Sequence, residues 1–188
     1  MALKLSEVIA KVRQVLRDQF ATIPVEWTDA QITAHIESTL KELSRVSSYQ
    51  TKETKTTTSG SKDIDISAIT NLLYVDRVEF RVDQNPKEFR NFEVWGNTLT
   101  MDISSLPGVE DAYLYCAKIH TLTEAASTLS PFQEDLLIKG VAIQAATVNA
   151  RKDPSGQIER WGANQWGLYQ RELIKLKKLR IWQEYSKD

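Results

Sequence analysis

Apolar residues repeat with one period at the two ends of this chain and with another in the middle, and that switch constrains the fold more than any other feature. Towards the N-terminus, Val8, Ile9, Val12, Val15 and Leu16 recur every three to four residues, as do Ile32, Ile36, Leu40 and Leu43. This is the period of a helix with one buried face. Between about residues 72 and 120 the alternation becomes two, the period of a strand. Val78, Phe80 and Val82 share a parity with Tyr74, and Arg77, Glu79 and Arg81 take the other. Helical spacing then returns, with Leu137 and Val141 and later Trp166, Tyr169, Leu173, Leu176 and Leu179. The order is two helices, an antiparallel β region and two helices. We therefore expect an α+β fold, a four-helix body (residues 1–47 and 121–188) with an inserted antiparallel β-hairpin or sheet region (48–120).

Local signals set the boundaries. Ser6 offers an N-cap for the first helix, because its hydroxyl can accept a free backbone N–H. Pro24 ends that pattern and leaves Phe20–Trp27 as a loop. Thr28 and Gln31 have capping-box spacing, and so do Ser130 and Gln133, with Pro131 at the first helical position. Ser59-Gly60-Ser61 reads as a turn between strands at about Tyr49–Thr57 and Lys62–Ile66. Gly96-Asn97 reads as the turn of a hairpin, in which Phe92 and Val94 alternate with Glu93 and Trp95, and Leu99, Met101 and Ile103 follow. A strand is expected over Ala112–His120. The segment Asp153-Pro154-Ser155-Gly156 closes the third helix, and the last helix is expected over about Asn164–Tyr185. Val148 is expected on the packed side of the third helix, beside Leu137 and Val141. Gly140 and the alanines around it would let another backbone come close.

The bulk properties narrow the class of function. The chain has 188 residues, 26% of them charged, and a formal net charge of -1. That balance disfavours a free-standing nucleic-acid binder, although the last stretch from Arg171 is locally basic. No apolar run approaches the roughly 20 residues that span a bilayer. The opening MALKLSEVIAKVRQ has charges throughout and no apolar signal core, so no secretion signal is expected. Cys116 is the only cysteine and cannot form an intrachain disulfide. Its apolar neighbours suggest a buried, inert thiol. His35 and His120 lie far apart in sequence, without the tight ligand spacing of a zinc site. Each glycine stands alone, so no phosphate loop is expected, and no nucleophile elbow is present. We expect no catalytic residue, no cofactor and no metal. Trp27 and Trp95 are expected in cores. Trp161, Trp166 and Trp182 stand among arginines and lysines. That pattern suits a helix packed on its own body, a protein interface or a nucleic-acid surface.

Three runs carry a resemblance. WTDAQITAHIESTLKELSRV has an aromatic, a Thr/Asp cap and a helix ending in Leu-Ser-Arg-Val. IDISAITNLLYVDRVEFRVDQNPKEFRNFEVWGNTLTMDI has a Val-Glu-aromatic strand, a hydrophobic hairpin and a Gly-Asn-x-Leu turn. YLYCAKIHTLTEAASTLSPFQEDLLIKGVAIQAA has a strand ending in His, a loop and a Leu-Leu-x-x-Gly helix, with Val141 where an alanine is common. Together these runs, within about residues 27–150, resemble the head-to-tail connector (adaptor) proteins of tailed bacteriophages. The resemblance implies a virion protein of the neck, made in the bacterial host cytoplasm. It implies a homo-oligomeric ring of about twelve copies, built on heterologous contacts. That ring would dock on the portal protein, receive a stopper or tail protein, and let genomic DNA pass without sequence-specific contact. No membrane would be involved. On this reading the C-terminal helix meets the portal through Arg171, Lys175, Lys178, Trp182 and Tyr185. Two alternatives remain open. One is a neck stopper or tail-completion protein, and the other a DNA-binding module using the basic C-terminal helix.

Overall fold

The computed structural model describes the backbone of residues 3–21, 23 and 26–185, and the side chains of these up to residue 178. The fold is α+β, with four helices and two antiparallel sheets among the described residues. The chain divides into two compact units, one of residues 1–47 and 120–188, the other of residues 48–119.

The helical unit contains α1 (Leu5–Gln19), α2 (Asp29–Val46), α3 (Pro131–Asn149) and α4 (Gln157–Tyr185). α1 and α2 bury one stripe each: Val8, Val12 and Leu16 from the first, Ile32, Ile36, Leu40 and Leu43 from the second. α3 is buried nearly all round, and the other three helices pack on it. A helix apolar on every side belongs in the middle of a bundle. Both expected capping boxes form. Thr28 Oγ1 accepts the Gln31 N–H at 3.3 Å while Gln31 Oε1 accepts the Thr28 N–H at 3.1 Å. Ser130 and Gln133 repeat the exchange at 3.4 and 2.8 Å.

Two helix starts differ from expectation. Ser6 is not the cap of α1, because its hydroxyl donates to Glu124 Oε2 at 2.8 Å and its N–H bonds the other oxygen. The cap falls on Lys4, whose N–H is taken by Glu7 at 2.8 Å. α4 begins at Gln157, one turn and more before Asn164. Asp153 provides for the early start: its carboxylate accepts the Ile158 N–H at 2.8 Å and the Ser155 N–H at 2.9 Å. Gly156, at φ +65, makes the turn between them. Pro24, expected to break the first helical pattern, lies outside the described residues.

The β unit contains β1 (Tyr49–Thr56), β2 (Asp63–Asp65), β3 (Leu72–Phe80), β4 (Phe89–Arg90), β5 (Phe92–Trp95), β6 (Thr98–Met101) and β7 (Asp111–Lys118). One sheet has the order β1-β7-β3-β4 and the other β2-β6-β5. Their facing sides share one core: Ile64, Leu99 and Met101 from the smaller sheet, Val75, Val78, Ala112, Leu114 and Cys116 from the larger. β1 and β2 are therefore not a hairpin, as their closeness in sequence suggested, but belong to different sheets. The link between them is tied down at Thr57, which is 3% exposed. Its hydroxyl lies 2.9 Å from Gly108 O and 3.0 Å from Glu110 O, and accepts the Glu110 N–H at 3.1 Å.

β3 departs from simple alternation. Its register against β7 shifts between Leu72 and Tyr74 and again between Val75 and Arg77. Each irregularity turns the following side chains over. Val75 is thus buried with Val78 and Phe80, while Tyr74, expected beside them, is 40% exposed. Glu79, expected to face water, is 1% exposed.

Candidate interaction surfaces

α4 has two faces of different chemistry. Tyr169 and Leu173 are buried in the helical core and Leu176 packs partly against it. Positions 171, 175, 178, 182 and 185 recur at spacings of four and three, which puts them on one stripe of the helix. That stripe lies about 200° from the buried one, since each residue advances about 100°. Arg171, Lys175 and Lys178 are exposed there. Lys175 pairs with Glu172 at 2.8 Å, which holds the glutamate below its ordinary pKa. Trp182 and Tyr185 belong to the same helix, but their side chains, like that of Leu179, lie outside the described residues. Trp166, expected on the packed stripe, is 43% exposed, and Val148 of α3 is 63% exposed.

These last two residues border a groove. Its volume is about 550 Å³, and it is lined chiefly by apolar atoms of Ile143, Thr147, Val148, Gly162 and Trp166, with His35 at one side. All belong to α2, α3 and α4. Gly162 lies close to α3 here, where an added Cβ would meet Thr147 Oγ1 at 3.4 Å. Sequence periodicity placed Val148 inside because it shares spacing with Leu137 and Val141. Val148 is instead exposed beside the groove.

A second surface belongs to the smaller sheet. Residues directly opposite one another in an antiparallel pair point to the same face. Trp95 is opposite Thr98, which is opposite Asp65; Glu93 is opposite Thr100, which is opposite Asp63. One face of this sheet therefore carries a tryptophan, three acids and two threonines, all exposed. Trp95 is not in a core: it is 90% exposed, next to the Gly96-Asn97 turn. Its parity with Glu93 decided this against its hydrophobicity. Two of the acids have local donors. Thr100 donates to Asp63 at 2.6 Å, and the Ser67 N–H bonds Asp65 at 2.8 Å and lowers its pKa.

The groups with chemical potential are otherwise committed to structure. Cys116 lies in the β core, where burial pushes its thiol up to about 11. His120 is buried in the helical unit. Its N–H bonds Ser44 Oγ at 2.9 Å, Nδ1 is 3.2 Å from Thr128 O, and Nε2 is 2.9 Å from Ser47 O. Burial is the main cause holding its pKa below the usual value. Glu79 is the acid that simple alternation missed. Burial opposes its ionisation, but the Tyr115 hydroxyl donating at 2.6 Å and Lys87 at 3.3 Å outweigh it, so its pKa is lowered. Among the described residues, no three of His, Cys, Asp and Glu are grouped to hold a metal ion. No helix among them is long and apolar enough to cross a membrane.

No family model matches the chain, and no curated protein does. A solved structure does. One chain of the neck of an empty GTA particle, computed with C6 symmetry, aligns with 86% of this chain and 92% of its own length, at 12% identity and a TM-score of 0.31.

Proposed function

We propose that this protein is a structural, non-catalytic subunit of a phage neck, and more narrowly a head-to-tail adaptor that forms a ring on the portal. The reading is carried by the way the three connector-like runs fold. The first forms capped α2, the second holds the β5–β6 hairpin with its Gly96-Asn97 turn, and the third runs from β7 through buried His120 into capped α3. Each run thus adopts the element order that its resemblance to connector proteins implies. In this role the subunit acts mechanically. The helical units would form the body of the ring. The stripe of Arg171, Lys175 and Lys178, continued by positions 182 and 185, would meet an acidic portal surface. Charges there would speed and orient docking, while an aromatic anchor such as Trp182 would supply most of the binding energy. A stopper or tail protein would bind elsewhere on the ring, and DNA would pass through the lumen without base contacts.

The test is genetic and visual. Particles assembled without this chain should accumulate as DNA-filled heads and separate, complete tails, and supplying the chain should join them. Normal joined particles in its absence would overturn the neck reading. Truncation before Trp182 separates the finer claim, since a folded subunit that no longer enters particles supports the portal contact. If the isolated chain instead retains DNA with a steep salt dependence, the DNA-binding reading takes its place.

A further inference from the structure

We infer that the Trp95 face of one subunit docks in the groove of Ile143, Val148, Gly162 and Trp166 on a second copy of this chain. This names the inter-subunit contact of the proposed ring and rests on that reading. The two surfaces suit one another in size and chemistry. Trp95 stands 90% exposed beside a tight turn, so most of its surface is free to enter a contact. An aromatic side chain brings about 150–250 Å² of surface to a contact. The groove, at about 550 Å³, is in the size range of pockets that hold compact apolar groups, about 300–1,000 Å³. Trp166, on its wall, is 43% exposed and adds aromatic surface to the contact.

Charge favours a second copy as the occupant. Around Trp95 stand Asp63, Asp65 and Glu93, with no basic residue in β2, β5 or β6. The groove is bordered in sequence by Arg151 and Lys152 after Ala150, and by Arg160 after Glu159, all exposed. Next to the lining in sequence, these three cations outnumber Glu159, the one acid that lines the groove. The difference extends to the whole units. The β unit has eleven acidic and eight basic residues, a net charge of -3, and with the chain at -1 the helical unit is left at +2. Opposite charges guide such an encounter and fix its orientation. The contact joins two different patches, so it is heterologous and propagates from copy to copy until the rotation closes a ring. One anchor and a few exposed ion pairs make a weak contact, suited to subunits that gather on a template rather than assemble freely.

A complementation experiment tests it. Trp95→Ala removes the knob and leaves the groove; Val148→Glu spoils the groove and leaves the knob. Both positions are exposed, so circular dichroism and melting curves should match wild type for each. Sedimentation velocity, carried up to about 1 mM protein, should show weak wild-type association beyond the dimer. Each variant alone should associate at least about 30-fold more weakly, the effect of losing one anchor. An equimolar mixture should regain one contact only, giving a heterodimer that does not grow further. The inference is overturned if either variant associates as wild type does, if the mixture gains nothing, or if wild type stays monomeric throughout. Electron microscopy of portal-bound subunits separates the two readings. Rings that form equally well from Trp95→Ala would sink this contact and keep the adaptor. A complementing pair whose wild type gives only open chains would keep the contact and sink the ring.

Discussion

Gly140 sits where α2 and α4 both press on α3, and replacing it with alanine reports on that packing by its sign. A methyl group built there would lie 2.7 Å from Thr39 Cγ2 and 2.9 Å from both Cζ and Oη of Tyr169. Carbon atoms prefer about 3.5–4.0 Å. Tyr169 is 2% exposed, and its hydroxyl donates to Glu42 at 3.4 Å, so the ring has little room to retreat. Overpacking of this kind costs about 1–3 kcal/mol. Against that, alanine in a helix interior gains about 1 kcal/mol over glycine. With three atoms well inside normal contact distance the upper part of that cost, about 2–3 kcal/mol, applies, and Gly140→Ala should lose about 1–2 kcal/mol net. That corresponds to about 2–8 °C in melting temperature for a chain of this size. Gly167 is the internal control. It lies in α4, is exposed, and has nothing within 4 Å of its added carbon. Gly167→Ala should therefore gain about 0.5–1 kcal/mol. Denaturant titration followed by tryptophan fluorescence measures both, with unchanged m-values required. If Gly140→Ala is as stable as wild type or more so, the close approach of the three helices is wrong.

Further expectations concern caps, pH and the β unit. Asp153→Ala should fray the start of α4 and lower the melting temperature by about 2–4 °C, with Asp153→Asn intermediate; no change in the amide-exchange protection of the first turn would remove its capping role. The folded pKa of Asp153 is depressed, chiefly by the Ser155 hydrogen bond. Its contribution is thus present at neutral pH and is lost as the pH falls below about 4. His120 has a folded pKa lowered by burial, so the unfolded chain takes up its proton first. Stability should fall as the pH drops below about 6.5, and His120→Gln should flatten that limb of the pH–stability curve if the histidine is its cause. Thr57→Val keeps the shape but strips the hydroxyl from the Gly108 and Glu110 backbone groups. It should cost about 1–3 kcal/mol, read from the unfolding of the β unit, and a neutral result would mean that the tie between the two sheets is unimportant.

Much of the helical architecture was legible without coordinates because its determinants are local. A capping box spans four residues, so Thr28–Gln31 and Ser130–Gln133 announce α2 and α3 wherever they stand. The stripes of α1 and α2 follow from the helical period alone. The starts of α1 and α4 were misread for the opposite reason. Glu124 takes the Ser6 hydroxyl from more than a hundred residues away, and Asp153 caps α4 from outside it, across a glycine turn. In the β unit, alternation assigned the β5–β6 hairpin correctly but failed along β3, where irregular register against β7 reverses the faces. Val75 replaced Tyr74 on the buried face as a result, whereas Glu79 kept its parity opposite to Val78 and Phe80 and is buried against Tyr115 and Lys87.

The same division runs through the candidate surfaces. The sequence by itself determined that the C-terminal stretch carries a cationic stripe, since that needs only the helical period and the order of residues. It determined too that Trp95 shares a face with Glu93. Tertiary structure alone decided which face of each element meets a core. That is how Trp95 came to stand in water, Val148 came to border an open groove, and three acids from two strands came to lie beside one tryptophan. Periodicity says which residues go together. Which side is covered depends on where neighbouring elements end, and that is set by packing between segments far apart in the chain.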